Sequence, residues 1–183
     1  MQPATTLMRS FTVMFVDIEG FTALTAQGSR DSVVDLIRRA RELVQPQVAR
    51  HRGRIVKTLG DGFLILFDSP TEAVLAGRDI QREAVRRNRA FDREQDQLRF
   101  RIGITTGEVQ LEDNDVYGDP VNLASRIQQI APAGEVYFSE ATYQAMTRSE
   151  VEHESAGDHE LKGVADKVKV YHVVESALDA AQR

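Results

Sequence analysis

The chain has 183 residues, a length that suits one compact domain and is short for two. Its 42% apolar and 28% charged residues are ordinary for a folded protein and exclude a low-complexity chain. The net charge of -5 argues against a nucleic-acid partner, and the absence of cysteine excludes disulfides and thiolate chemistry. We see no signal-peptide layout and no apolar run long enough to span a bilayer, so we expect no membrane segment and a cytoplasmic location.

The chain begins with a strand pattern followed by a helix pattern. Residues 9–18 (RSFTVMFVDI) are apolar on both alternations, as expected of a strand that is buried on both faces. A carboxylate, Asp17, lies at the end of this strand. Residues 29–52 have apolar positions at helical spacing, and we expect Pro46 to kink or divide that helix.

A hairpin and a second helix are predicted next. Residues 53–58 and 62–67 are strand-like runs on either side of LGDG. Because Asp-Gly suits a tight turn, this pattern predicts a hairpin with Asp61 at its tip. Ser69-Pro70 supplies a cap and a first-turn proline for a helix over residues 71–91.

The second half of the chain also alternates between strand and helix patterns. After a connection at 92–97, the patterns predict a strand at 98–111, a helix at 120–130, a strand at 135–138, a helical turn at 140–146, and late strands near His159 and at 168–174. A hairpin in the middle of the chain makes a purely parallel sheet improbable. We therefore predict an α+β fold in which helices pack on a mixed sheet.

Two carboxylates are the first candidates for chemistry. Asp17 at a strand end and Asp61 at a hairpin tip are hard oxygen ligands of the kind that Mg²⁺ or Mn²⁺ prefers. Gly20, shortly after Asp17, permits close approach of the backbone to a phosphate. Taken alone, each aspartate is better explained as a helix cap or a turn residue. Together they indicate a metal and phosphate site.

Four further polar residues have both a functional and a structural interpretation. Asn122 and Arg126 lie four residues apart on a predicted helix, so both can reach one ligand, or both can lie on a solvated helix face. Lys57 in an apolar strand needs a partner if it faces inward, and reaches water if it lies at an edge. Lys162, in LKG, has the sequence context of a surface lysine.

Four strings occur in the order FVDIEGFT, KTLGDG, DVYGDPVNLASR and ELKGV. Together they resemble the catalytic domain of class III adenylyl and guanylyl cyclases, over roughly residues 9–175. The resemblance implies a ferredoxin-like α/β sandwich with a mixed, mostly antiparallel sheet, which works as a head-to-tail homodimer with active sites at the interface. It divides the chain into a tail at 1–8, a catalytic domain at 9–175 and a second tail at 176–183.

The resemblance also implies roles for individual residues. Asp17, Ile18 and Asp61 match the positions that bind two divalent metal ions, Mg²⁺ or Mn²⁺. The phosphate-binding turn is matched by Ile18, Glu19, Gly20, Phe21 and Thr22. From the other protomer, Arg126 matches the arginine that stabilises the transition state, Asn122 the residue that orients the ribose, and Lys162 the triphosphate-binding lysine. The implied reaction is metal-assisted attack of the ribose 3′-hydroxyl on the α-phosphorus, with loss of pyrophosphate.

Lys57 and Asp115 match the pair that reads the base in this family. A lysine donates to adenine N1 and an aspartate accepts from the 6-amino group, whereas guanine reverses this pattern. The resemblance therefore implies an adenylyl cyclase acting on ATP. The alternatives are a guanylyl cyclase, relaxed base selectivity, or a catalytically silent nucleotide-binding or dimerisation module. The stretch EVQLEDN before Asp115 is shorter than the strand-loop-strand that is usual in the family.

Overall fold

The computed structural model describes residues 7–27, 29–112 and 115–175. The predicted tails at 1–8 and 176–183 lie outside these residues, apart from Leu7 and Met8, which begin the first strand. The strands are β1 (Leu7–Ile18), β2 (Arg54–Leu59), β3 (Gly62–Phe67), β4 (Phe100–Glu112), β5 (Asp115–Tyr117), β6 (Val136–Ser139), β7 (His153–His159) and β8 (Val168–Val173). The helices are α1 (Phe21–Gln27), α2 (Arg30–Arg50), α3 (Pro70–Asn88), α4 (Asp119–Ile130) and α5 (Glu140–Ala145).

All eight strands belong to one sheet. Their order is β2-β3-β1-β4-β6-β8-β7, with β5 paired to β4. In the part of the chain that the structure describes, β4 and β6 are the parallel pair and the remaining pairs are antiparallel. The predicted α+β fold with a mixed, mostly antiparallel sheet is therefore confirmed.

Strand β1 is buried on both faces, as its sequence pattern predicted. Met14 and Val16 belong to the larger core cluster, which includes buried residues of α2 and α3. Val13 belongs to a second cluster, which includes Ala124 of α4. Because side chains alternate along a strand, Asp17 lies on the same face as Val13, the face that α4 covers.

The two long helices begin where the sequence predicted. Ser29 caps α2 by accepting a hydrogen bond from the Ser32 amide, and Ser69 caps α3 with Pro70 in its first turn. Of the two effects expected of Pro46, a kink or a division of the helix, the division is wrong, because α2 continues through Pro46 to Arg50. Buried residues on both sides of the proline hold the two halves against the same core: Leu43, Val44, Gln47 and Val48. None of the helices described is long and apolar enough to cross a bilayer.

Strand β5 was not predicted from the sequence. It pairs antiparallel with the end of β4, with Gln110 opposite Tyr117 and Glu112 opposite Asp115. The shorter connection in this region therefore still forms a two-stranded hairpin, and Asp115 begins its second strand. Three residues are too few to reveal the alternation by which a strand is recognised in a sequence.

Candidate active site

Strand pairing brings the two candidate metal ligands together. In the antiparallel pair of β1 and β3, Asp17 lies opposite Gly62, the residue that follows Asp61. A Cβ atom on Gly62 would lie 3.1 Å from the Val16 carbonyl oxygen and 3.8 Å from Asp17 Oδ1. The backbone of the hairpin tip thus lies close against the end of β1, as the sequence predicted.

The electrostatics of this pair suit a divalent cation. Burial, followed by the hydrogen bond and the negative charge of Asp17, raises the pKa of Asp61 to about 6. A bound dication would favour the ionised form of the Asp61 carboxyl, because its positive charge opposes the effect of burial and of the neighbouring carboxylate. The described residues contain no cluster of three or more acidic or histidine side chains that could hold a metal. Two carboxylates nonetheless fit Mg²⁺, which proteins commonly bind through one or two carboxylates together with substrate phosphates.

Two partners of Asp17 were missed by the sequence analysis. Asp17 Oδ2 accepts hydrogen bonds from Arg101 Nη2 at 2.5 Å and from Gln128 Nε2 at 3.2 Å. Arg101 lies opposite Asp17 in β4, and its Nε is buried with no hydrogen-bond partner in the described part of the chain. The sequence did contain an indication of Gln128. It is a polar residue directly after Ile127, on the side of α4 that is buried.

Lys57 and Asp115 are also brought together within one chain. Lys57 Nζ donates to Asp115 Oδ2 at 2.7 Å, which joins β2 to β5. The Lys57 ammonium, and after it the Val116 amide, holds the pKa of Asp115 below its ordinary value. The lysine thus has a partner, but β2 is the edge strand and the Lys57 side chain is 39% exposed, so features of both possibilities are present.

Helix α4 presents different residues on its two sides. Asn122 is exposed, and Arg126 Nη1 donates to Gln129 Oε1 at 3.1 Å, whereas Ala124 and Gln128 are buried. Successive helical residues are about 100° apart, so Gln128 lies about 200° around the axis from Arg126. Because Gln128 contacts Asp17, Arg126 lies on the side of α4 that faces away from Asp17 of the same chain.

Lys162 lies on the side of the molecule that α4 occupies. It is exposed in the turn between β7 and β8, which form the edge of the sheet opposite to β2. Its neighbour Leu161 is buried in a cluster with Ile127 of α4. Lys162 is therefore grouped with α4, and not with the hairpin tip that carries Asp61.

The turn after β1 has one amide that is already engaged. Ile18 ends β1 opposite Phe100 of β4, and its side chain is buried in the core, so any contact with a ligand would have to be made by its backbone. Glu19 N–H donates to the Arg99 carbonyl at 2.8 Å. Gly20 has φ of 72°, a left-handed conformation that glycine adopts readily, and Phe21 and Thr22 begin α1.

Comparison with known proteins identifies the family. A profile described as "Adenylate and Guanylate cyclase catalytic domain" matches residues 5–175. The chain belongs to this family. The prediction from the four strings is thereby confirmed, and the elements described above are those of a nucleotidyl cyclase domain.

Individual relatives of this cyclase domain are larger proteins. It is 33% identical to "Serine/threonine-protein kinase pkn2" of Myxococcus xanthus over 92% of this chain, and 30% identical to "Putative adenylate cyclase 3" of Rhizobium meliloti over 87%. The chain spans 20% and 27% of the lengths of these two relatives. Among solved structures, the adenylyl cyclase CyaB from P. aeruginosa matches with a TM-score of 0.82 and 26% identity, covering 96% of this chain and 99% of that one.

Proposed function

We propose that this cyclase domain is an adenylyl cyclase that converts ATP to 3′,5′-cyclic AMP and pyrophosphate at sites shared across a homodimer. The observation that carries the proposal is the pair formed by Lys57 and Asp115, whose polar atoms lie 2.7 Å apart. A fixed donor beside a fixed acceptor matches N1 and the 6-amino group of adenine. Guanine presents the reverse pattern, so the pair supports ATP over GTP as the substrate.

The proposed metal and phosphate half of the site lies at the end of β1. Asp17, Asp61 and the backbone of Ile18 would hold two divalent cations, Mg²⁺ or Mn²⁺. When bound, these ions neutralise the triphosphate and favour ionisation of the ribose 3′-hydroxyl. The hydroxyl proton passes to water and the 3′-oxygen forms a bond to the α-phosphorus. The bond from the α-phosphorus to the oxygen that bridges the α and β phosphates breaks, and pyrophosphate leaves. The turn formed by Ile18, Glu19, Gly20, Phe21 and Thr22 would lie along the β and γ phosphates, with Glu19, Gly20 and Thr22 exposed and Phe21 packed against the core.

The second half of the proposed site comes from the other protomer. Arg126 would stabilise charge on the α-phosphate, Asn122 would orient the ribose, and Lys162 would bind the triphosphate. The two sides of α4 support this division, because Arg126 faces away from Asp17 of its own chain.

The test is a cyclase assay with Mn²⁺ and ATP across a range of protein concentrations. We expect cyclic AMP and pyrophosphate in equal amounts, a specific activity that rises as dimers form, and loss of activity in Asp17→Ala. GTP assayed on the same preparation should be turned over more slowly. Absence of product at every concentration would contradict the proposal and favour a silent nucleotide-binding module. Equal turnover of GTP would contradict the assignment of Lys57 and Asp115.

A further inference from the structure

The two carboxylate oxygens of Asp17 have different surroundings. Oδ2 accepts both hydrogen bonds, from Arg101 Nη2 and Gln128 Nε2. Oδ1 lies on the side of the hairpin tip, 3.8 Å from the position that a Cβ of Gly62 would occupy. One oxygen is therefore anchored, and the other faces the turn that carries Asp61.

The two residues that donate hydrogen bonds to Oδ2, Arg101 and Gln128, differ in charge. Arg101 is a cation, so a divalent metal bound at Asp17 would compete with it for the carboxylate charge. Gln128 is a neutral donor, so its hydrogen bond does not oppose metal binding electrostatically. A metal at Oδ1 would therefore weaken the hydrogen bond from the glutamine less than it weakens the ion pair with the arginine.

Burial indicates that the amide of Gln128 serves Asp17. Gln128 is 6% exposed, and its neighbours on the buried side of α4, Ala124 and Ile127, are apolar. A buried amide without a partner is strongly unfavourable, so packing alone would favour an apolar residue here. Gly103 fixes the depth of the helix, since a Cβ at that position would lie 2.2 Å from Gln128 N.

From these contacts we infer that Gln128 is a positioning residue for the metal-binding carboxylate. It anchors Oδ2 of Asp17 and thereby directs Oδ1 toward the hairpin tip, where the second aspartate lies. The inference rests on the proposed function insofar as Asp17 is taken to bind a metal. It concerns metal affinity and not the chemical step, so it is tested separately from cyclase activity.

The test compares Gln128→Met with Gln81→Met. Gln81 is a matched control, because it is 7% exposed and donates its amide to the Phe100 and Glu135 carbonyls at 2.9 and 3.0 Å. Mn²⁺ binding is measured by the electron paramagnetic resonance signal of free Mn²⁺ in the presence of a non-cyclisable ATP analogue, with the Mn²⁺ bound by the analogue alone measured separately and subtracted. Gln128→Met should raise the Mn²⁺ Kd roughly tenfold, the usual size of an effect on a residue that orients a ligand. Gln81→Met should leave the Kd within about twofold of wild type while losing comparable stability.

The outcomes separate this inference from the proposed function. An unchanged Kd in folded Gln128→Met, or a wild-type protein that binds no Mn²⁺, overturns the inference. Weaker Mn²⁺ binding in that variant, together with a wild-type protein that makes no cyclic AMP, supports the inference and contradicts the cyclase proposal. If Gln128→Met does not fold, the inference is tested by nuclear magnetic resonance on the wild-type protein. The side-chain amide of Gln128 should shift on addition of Mg²⁺ while that of Gln81 does not, and no shift overturns the inference.

Discussion

Lys57 and Asp115 form an ion pair that positions two polar groups more than it stabilises the fold. Their side chains are 39% and 28% exposed, and water screens an ion pair of this kind, so it contributes little to the free energy of folding. It nevertheless holds one donor and one acceptor at a fixed separation, which is what discrimination between two purines requires.

Replacing Lys57 with methionine should therefore change substrate selectivity. Lys57→Met keeps the length of the side chain but removes the donor that we propose for adenine N1. We expect kcat/KM for ATP to fall about 10- to 100-fold, with a smaller fall for GTP, because a site built to hydrogen-bond its substrate loses most when that bond is lost. Both substrates are assayed on one preparation. Lys167→Met, at an exposed lysine paired with Glu160, is the control, and an equal loss for both nucleotides would argue against base reading by Lys57.

At the scale of elements, the packing of α4 on β4 depends on the absence of a side chain at Gly103. A Cβ there would lie 2.2 Å from Gln128 N and 2.5 Å from Ala124 O, both backbone atoms that cannot rotate away. This approach sets the position of a helix that contacts Asp17 with one side and presents Arg126 on the other.

Gly103→Ala should displace α4 and destabilise the protein. We expect a loss of about 1–3 kcal/mol in the free energy of unfolding, the usual cost of an added methyl group in a tightly packed interior. Gly77→Ala is the control, since its Cβ would lie 3.0 Å from a Val136 side-chain methyl, and alanine favours a helix. Urea unfolding gives the free energy of unfolding of both variants. Equal losses of stability would contradict the prediction that the close contact between Gly103 and α4 makes this position more sensitive than Gly77.

Helix α3 contains a carboxylate whose effect on stability should depend on pH. Hydrogen bonds from Arg86, and secondarily from Arg87, hold the pKa of Glu83 at about 2, below its ordinary value of 4.5. A lowered folded-state pKa stabilises the protein above pH 4.5, and this stabilisation is lost as pH falls from 4.5 toward 2.

Glu83→Gln should reduce stability by about 1 kcal/mol at pH 7, a value that allows for partial screening by water. The difference from wild type should shrink between pH 4.5 and 3, as measured by urea unfolding at several pH values. Glu94→Gln is the control. Glu94 is 85% exposed and its ion pair with Arg99 is long, at 3.4 Å, so this substitution should change the free energy of unfolding little at any pH. A difference that stays constant with pH would contradict the role of the Glu83 charge.

At the scale of the whole molecule, the candidate residues fall into two groups. Asp17 and Asp61 lie where β1 meets the hairpin tip, whereas Asn122, Arg126 and Lys162 lie on the outer side of α4 and in the turn that packs beside it. Such a separation is what a shared site in a two-fold symmetric dimer requires.

Mixing two inactive variants should restore activity. In a mixed dimer of Asp17→Ala and Arg126→Ala chains, one site has both lesions and the other has neither. Random exchange makes half of the dimers mixed, so we expect about a quarter of wild-type cyclase activity. Each variant alone is the control, and a tag on one chain establishes that mixing occurred. No recovery despite mixing would contradict the shared site.

The sequence by itself determined the local features of this protein. The apolar run of β1, the hairpin tip at Asp61 and the Ser69-Pro70 start of α3 each depend on neighbours in the chain, so pattern was sufficient to predict them. The two turn residues themselves are Gly60 and Asp61 and not the predicted Asp-Gly pair, because Gly62 already pairs with Leu59 as the first residue of β3. Four strings in order also identified the family. The pattern failed at β5, which has three residues, and at Pro46, where burial on both sides outweighs the preference of proline to break a helix.

Only the tertiary structure decided which side chains meet. Arg101 reaches Asp17 because β4 pairs with β1 in one register, and a shift by a single residue would place it on the other face. Gln128 reaches the same carboxylate because Gly103 lets α4 approach the sheet closely. Neither contact is encoded in local spacing, since each joins residues that are distant in the chain. The sequence thus predicted the two aspartates, and the fold determined how the carboxylate of Asp17 is held.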